Sequence, residues 1–217
     1  MKKFFITIIL VLVLFFKSFA DEGMWLPILL GQQVYNEMVK KGLKLTKDQL
    51  YNINKPSLKD AILIFGGGCT GEIVSAEGLI FTNHHCGYDA VASASTMDHN
   101  YLRDGFYAHN KGEEIPSNLT VQFLLRIDDV TNEVLDSLKG LSGLDRAQRQ
   151  TAVLAAINKR MSDASQSIET RVSPLFKGNQ FLAFVYQRYN DIRLRAGNVS
   201  RRGLAVAADD GAEGGIC

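Results

Sequence analysis

The pattern of hydrophobic and polar residues begins, after residue 20, with apolar residues spaced four apart. Leu26, Leu30, Val34 and Met38 would share one face of a helix, which Gly42 would end. The sequence therefore predicts a helical region over 21–55.

A second helix within that region has its own start signal. Thr46 is followed three residues later by Gln49, the spacing of a capping box, in which each residue's side chain bonds the other's backbone N–H. The pattern predicts a short helix that begins after Thr46, and Pro56 closes the region.

The pattern changes to short apolar runs between residues 58 and 85. Ala61–Phe65, Glu72–Ala76 and Leu79–Thr82 are separated by glycines, which suit tight turns between strands. We predict a small antiparallel hairpin system with His84 and His85 where its last strand ends.

The remaining pattern predicts elements further along the chain. It indicates a short helix over 90–95, a long loop over 98–118, a strand over 119–127, a helix over 144–161 and a strand over 181–189. From Arg195 the chain is rich in Gly and Ala with no period, so we expect residues 195–217 to be a poorly ordered tail.

The first twenty residues have the layout of a cleaved signal peptide. Lys2 and Lys3 precede an apolar stretch over 4–16, and Ser18-Phe19-Ala20 supplies small residues before a cleavage site. The alternative is a retained N-terminal anchor. Cleavage would leave Asp21 as the N-terminus, in an oxidising compartment and with no stable membrane span.

Composition and charge narrow the function classes. The 217 residues carry a formal net charge of +1 and no basic run, which argues against nucleic acid or an anionic surface as a partner. Three cysteines are present. In an exported chain Cys69 and Cys86 are close enough in sequence for a disulfide, the alternative being two free thiols, and Cys217 is left over.

His84 and His85 admit three kinds of interpretation. As a metal site the pair is unfavourable, because adjacent residues leaving a strand point to opposite faces and their spacing is not that of zinc ligands. A dinucleotide site over 66–71, which matches G-x-G-x-x-G, would need a helix next, whereas Glu72 to Ser75 favours a strand. Neither a metal nor a cofactor is therefore expected.

The third interpretation is a general base. A strand, then Thr82, then a histidine next to a cysteine whose partner lies upstream is the order in which chymotrypsin-like proteases present their catalytic histidine. His85 precedes Cys86 directly and takes the role, and His84 becomes a structural neighbour. A core histidine is the competing interpretation.

At these residues the sequence resembles a known family. DEGMWLP at 21–27, FGGGCTGEIVSAEGLIFTNHHCGYDA at 65–90 and YLRDGFYA resemble bacterial periplasmic serine-type dipeptidyl aminopeptidases, from Asp21 to about Leu194. The resemblance implies the N-terminal portion of a chymotrypsin-like double β-barrel peptidase domain, mainly β with helices, over 21–194. It also implies release of dipeptides from peptide N-termini, and a homodimer for full-length members.

The resemblance also assigns residues. It implies His85 as the catalytic base, Cys69–Cys86 as a disulfide, and Trp25 in the segment that shapes the substrate's amino-terminal side.

After Leu194 the sequence departs from the family pattern. The segment that would carry the triad aspartate is replaced by RAGNVSRRG, and no Gly-Asp-Ser-Gly or G-x-S-x-G occurs. We do not assign Asp209 or Asp210 to the triad. The hypothesis is a truncated or frame-shifted chain that is inactive alone; the alternatives are a non-catalytic secreted binding or assembly module and a metal-binding periplasmic protein.

Overall fold

The computed structural model describes residues 25–198 and 203–208, with the backbone alone described at 198 and over 203–208. The chain divides into two units, Met1–Gly42 and Leu43–Cys217. The predicted signal peptide lies outside the described residues.

The described part of the first unit is helical but interrupted. A 3-10 turn spans Pro27–Leu29, and helix α1 spans Gln32–Lys40. The predicted helical region is therefore broken at Gly31, which lies outside the helix as its N-cap residue. The predicted stop is confirmed, since Gly42 takes a φ of +107° that favours glycine.

The second unit opens with the predicted capping box. The Thr46 side chain accepts from the Gln49 backbone N–H, and the Gln49 side chain accepts from the Thr46 backbone N–H. The capping box begins helix α2, Lys47–Leu50. The helices that follow are α3 His84–Ala94, α4 Tyr101–Asp104, α5 Thr131–Ser137 and α6 Gly143–Met161. Turns of 3-10 helix span Leu58–Ala61, Lys111–Glu113, Ala164–Gln166 and Phe176–Gly178.

In the part of the chain that the structure describes, ten strands form one sheet in which all pairs are antiparallel. They are β1 Ile62–Phe65, β2 Cys69–Ile73, β3 Leu79–Asn83, β4 Phe106–Tyr107, β5 Ile115–Ser117, β6 Val121–Asp129, β7 Ile168–Leu175, β8 Gln180–Tyr189, β9 Ile192–Asn198 and β10 Gly203–Ala208. The order is β4-β9-β10-β3-β2-β1-β6-β8-β7, and β5 also pairs with β9.

Among the described residues, the first of two hydrophobic cores lies under the strands that lead to the histidine pair. Strands distant in the sheet order, such as β1 and β9, contribute to it, so the sheet curls around a common interior. Val91 of α3 packs into the same cluster. The buried members are Leu63, Phe65, Ile80, Val91, Val121, Phe123, Ile192 and Leu194.

The second core lies between the β7–β8 hairpin and helices α5 and α6. Phe181 and Leu138 are its largest fully buried side chains, together with Ile157 of α6. The helix predicted over 144–161 is confirmed as α6, but the face predicted to be apolar is only partly right: Val153 and Ile157 are buried in this core, Leu154 and Met161 are partly buried beside them, and Leu144, Ala147 and Thr151 are exposed.

The mainly β fold with helices agrees with the fold class expected, and several elements differ from expectation. The interval 98–118 contains α4, β4 and β5, and β7 was not predicted. Strands β4, β5 and β7 are two to eight residues long, and they form by pairing with β9 (β4 and β5) or with β8 (β7).

The expected boundary after residue 194 falls inside β9. Part of the tail expected to be poorly ordered forms β10, whose backbone pairs with both β3 and β9. Pairing on both edges stabilises this strand, and the local sequence does not identify those partner strands. The rest of that tail lies outside the described residues.

Candidate active site

The two histidines are delivered by the junction of a strand and a helix. β3 ends at Asn83, and His84 and His85 are the first two residues of α3. The sequence predicted a strand exit and a helix only from Ala90, so the helix begins six residues earlier than expected. Because both histidines lie in a helix, the strand rule that places adjacent side chains on opposite faces does not apply to them.

Thr82 fixes the end of β3 to the neighbouring strand. Its side chain is 9% exposed, and its hydroxyl donates to the Thr70 carbonyl at 2.8 Å. From the sequence, Thr82 was assigned only a place in the order of the motif. A polar residue at an inward-facing strand position is the signal that would have indicated this bond.

Cys69 and Cys86 are joined by a disulfide, with their Cα atoms 6.1 Å apart. Cys69 is the first residue of β2 and Cys86 the third residue of α3. The bond therefore ties the start of one strand to the helix turn that carries His84 and His85.

His85 is exposed, and its ring lies against the disulfide. Its Nε2 atom is 3.4 Å from Cys86 Sγ and 3.9 Å from Cys69 Sγ. The competing interpretation as a core histidine does not fit an exposed ring. Within residues 25–198 these sulfur contacts are its hydrogen-bonding neighbours, and no carboxylate orients the ring.

His84 is in a different environment. Its Nδ1 atom is buried and has no hydrogen-bond partner among the described residues. Its ring packs edge-on against Tyr88, one helical turn later, with ring centroids 5.8 Å apart. His84 therefore contacts the body of α3 rather than the disulfide.

The glycines before Cys69 form a turn. Gly66 and Gly68 have φ values of +56° and +139°, and β2 follows directly as a strand. A dinucleotide motif requires a helix at this point, whereas the chain continues as a strand. The interpretation of these glycines as turn residues is therefore confirmed.

One group of potential metal ligands occurs in the described part of the chain. Ligand atoms of Cys69, His85 and Cys86 all lie within 4.8 Å of one another, and His84 is not a member. Both sulfurs are held in the disulfide, and metals bind thiolates. The oxidised site is therefore an imidazole beside a disulfide.

Trp25 lies in the other unit, 53% exposed, and stays a predicted substrate-side residue. No helix in the described part of the chain combines the length and the hydropathy of a membrane span.

Comparison with known proteins places this geometry among peptidases. The model of the peptidase S46 family matches residues 20–197. A dipeptidyl-peptidase 7 of Porphyromonas endodontalis is 45% identical over 179 residues, which are 82% of this chain and 22% of that protein. A dipeptidyl-peptidase 7 of Capnocytophaga gingivalis is 43% identical over 177 residues, 80% of this chain and 24% of that protein.

Relatives with a different name, Asp/Glu-specific dipeptidyl-peptidases, match over a similar share of the chain at slightly lower identity. An Asp/Glu-specific dipeptidyl-peptidase of Flavobacterium psychrophilum is 41% identical over 175 residues, 79% of this chain and 24% of that protein. The crystal structure of Porphyromonas endodontalis DPP11 in complex with substrate matches with a TM-score of 0.77 and 28% identity, over 90% of this chain and 33% of that one. The chain thus spans about a quarter of the length of these curated relatives.

Proposed function

Because the chain belongs to the peptidase S46 family, we propose that it carries the histidine base of a serine-type dipeptidyl aminopeptidase, which releases dipeptides from the N-termini of peptides. His85 is the proposed base. The observation that carries the proposal is its exposed ring at the strand-to-helix junction, braced by the Cys69–Cys86 disulfide.

The exposed position suits proton transfer. A general base must reach the hydroxyl of a nucleophile and return the proton to the leaving amine. The ring of His85 is accessible for this, whereas the Nδ1 atom of His84 is buried. Of the two histidines, His85 is therefore the better candidate.

The junction also fixes where the base lies. Strand β3 is tied to β2 through Thr82, and the first turn of α3 is tied to β2 through the disulfide. Two attachments to one strand limit the movement of the helix turn that carries His85, as a site of defined geometry requires.

The reaction needs partners that this sequence does not supply in recognisable form. No serine motif of the usual kinds occurs, and no carboxylate orients His85 in residues 25–198. We therefore propose that the 217-residue chain by itself does not hydrolyse dipeptidyl substrates. Turnover of a dipeptidyl chromogenic amide by the purified chain, abolished by His85→Ala, would contradict this.

A chimera tests the assigned role directly. Residues 21–194 would replace the matching stretch of the Porphyromonas endodontalis dipeptidyl-peptidase 7. We expect an active enzyme in which His85→Ala lowers kcat by about 10³-fold or more. His109→Ala, which removes an exposed histidine outside the junction, is the matched control and should leave kcat unchanged.

The chimera also decides between the two functions. Equal activity of the His85→Ala chimera and its parent would remove the catalytic role and favour the non-catalytic binding or assembly module.

Trp25→Ala in the same chimera tests the substrate-side proposal, for which we expect a higher KM with kcat little changed.

We further propose export, with residues 1–20 as a signal peptide and 21–194 as peptidase domain. The supporting observations are the sequence pattern and the disulfide, a bond typical of oxidising compartments. Mass measurement of the protein recovered from the periplasm or medium should give Asp21 as the first residue; a chain that retains Met1 would contradict cleavage. The homodimer implied for full-length members stays a prediction.

A further inference from the structure

We propose that Cys69, Cys86 and His85 form a Zn²⁺ site when the disulfide is reduced. The proposal does not depend on peptidase activity. It concerns the same imidazole, but in a state of the chain in which two thiolates replace the disulfide.

The ring nitrogen of His85 already lies near ligand spacing from each of the two sulfurs, and the sulfurs, bonded to each other in the disulfide, would have to separate on reduction. Zinc bonds of about 2.3 Å to sulfur and about 2.0–2.1 Å to nitrogen place tetrahedral ligand atoms about 3.5–3.8 Å apart. The Nε2 atom of His85 is 3.4 Å from Cys86 Sγ and 3.9 Å from Cys69 Sγ. The ring nitrogen thus needs little movement to join the two sulfurs around an ion.

The main chain also fits. The two Cα atoms lie 6.1 Å apart, within reach of two cysteine side chains that share one ion. The donors come from the start of β2 and the first turn of α3, which are held together by the Thr82 hydrogen bond to β2 and by Val91 in the first hydrophobic core. Reduction removes the covalent link but not these contacts.

The site is accessible and has room for a fourth ligand. His85 is exposed and both cysteines are partly exposed, so an ion can enter and keep a water molecule. Two thiolates, one imidazole and an open position form a known zinc ligand set, Cys₂His with water. His85 would then be a ligand, and its Nε2 atom would no longer be free to accept a proton.

The chemistry requires a reductant, for which a dithiol suffices. The dithiol gives two electrons to the Cys69–Cys86 bond, is itself oxidised to a cyclic disulfide, and leaves two protein thiols. Binding of Zn²⁺ then releases two protons from these thiols to solvent, because the thiolate is the ligand.

The test compares the reduced and oxidised 217-residue chain in a Cys217→Ser background, which removes the third cysteine. Zn²⁺ is titrated against a chromophoric chelator after the dithiol has been removed without oxygen. We expect one Zn²⁺ per reduced chain and none in the oxidised chain. His85→Ala in the reduced chain should weaken binding by about 100-fold or more, since even the loss of an outer partner of a ligand costs 10–100-fold.

The controls separate a built site from thiols that bind metal anywhere. His109→Ala should bind Zn²⁺ as tightly as the parent, and Cys69→Ser/Cys86→Ser should not bind it. Zinc should slow alkylation of Cys69 and Cys86, measured by mass spectrometry, and should raise the Tm of the reduced chain because the site needs the folded junction.

Three results would overturn the proposal. They are equal zinc binding by reduced and oxidised chains, equal binding by the reduced parent and its His85→Ala variant, and a Tm of the reduced chain that zinc lowers. The last would mean that the ion prefers thiols of the unfolded chain.

Discussion

At the scale of single residues, the candidate site depends on where His85, Cys69 and Cys86 lie relative to one another. His85 and Cys86 are neighbours in sequence, and Cys69 joins them from 17 residues upstream through the disulfide. The proximity of imidazole and sulfur is the basis of both proposals, since it braces a base in the oxidised chain and supplies ligands in the reduced one.

Gly71 shows how closely the strands beneath this site approach. A Cβ atom at Gly71 would lie 3.0 Å from Leu63 Cδ1, 3.2 Å from Ile80 Cγ2 and 3.2 Å from the Phe81 carbonyl oxygen. Gly71→Ala should therefore lower the free energy of unfolding by about 1–3 kcal/mol through overpacking. Chemical denaturation measures the change.

Gly67→Ala is the matched control, because a Cβ atom there meets nothing within 4 Å. Its stability should stay within about 0.5 kcal/mol of the parent. Equal destabilisation by both substitutions would show that packing at Gly71 does not determine the cost, because the lost flexibility of glycine in the unfolded chain would by itself stabilise the fold.

At the scale of elements, the end of helix α6 satisfies backbone N–H groups at the outer edge of strand β7. β7 is the last strand of the sheet, and the side of its backbone away from β8 would present unpaired N–H groups. The Asn158 side chain accepts from the Val172 N–H at 2.8 Å, and the Ser162 hydroxyl oxygen accepts from the Thr170 N–H at 2.8 Å. Alternate amides of the edge are thus satisfied by residues at the end of the helix.

Asn158→Ala should lower the free energy of unfolding by about 1–3 kcal/mol, because it leaves the N–H of buried Val172 without an acceptor. Thermal and chemical denaturation measure it. Lys159→Ala, at an exposed neighbour on the same helix, should have almost no effect. Loss of stability of the same size in both variants would contradict a specific bond at Asn158.

At the scale of the whole molecule, β10 links parts of the sheet that are far apart in sequence. It lies between β3 and β9, with Gly203 opposite Asn83 and Asn198. The strand that leads to the histidine pair is therefore an inner strand of the sheet, paired on one side with β2 and on the other with a segment near the end of the chain.

An engineered crosslink tests this pairing. Ala205 is opposite Phe81, and opposed residues of antiparallel strands have Cα atoms within the range that a disulfide spans. In a Cys217→Ser background, Phe81→Cys/Ala205→Cys should form a disulfide in most molecules, detected by peptide mass spectrometry under non-reducing conditions.

The control shifts one cysteine by two residues. Ala207 is opposite Leu79, so Phe81→Cys/Ala207→Cys combines a diagonal pair and should crosslink much less. Equal crosslinking of both pairs would mean that residues 203–208 do not hold this register on β3.

The sequence by itself determined the local features of this protein. The capping box at Thr46, the glycine turn before Cys69, the strand leading to Thr82 and the long helix over 144–161 each follow from residue types at short spacing. The closeness of Cys69 and Cys86 in sequence allowed a disulfide but left two free thiols as the alternative, and the structure shows the bond.

Only the tertiary structure decided the features that depend on distant partners. β10 lies in the Gly- and Ala-rich segment in which no strand was predicted, and its backbone pairs with β3 on one side and with β9 on the other. The contact between the His85 ring and both sulfurs, and the start of α3 at His84 rather than at Ala90, arise in the same way. Periodicity reports which face of an element is apolar, but backbone pairing and ring placement depend on neighbours that the local sequence does not identify.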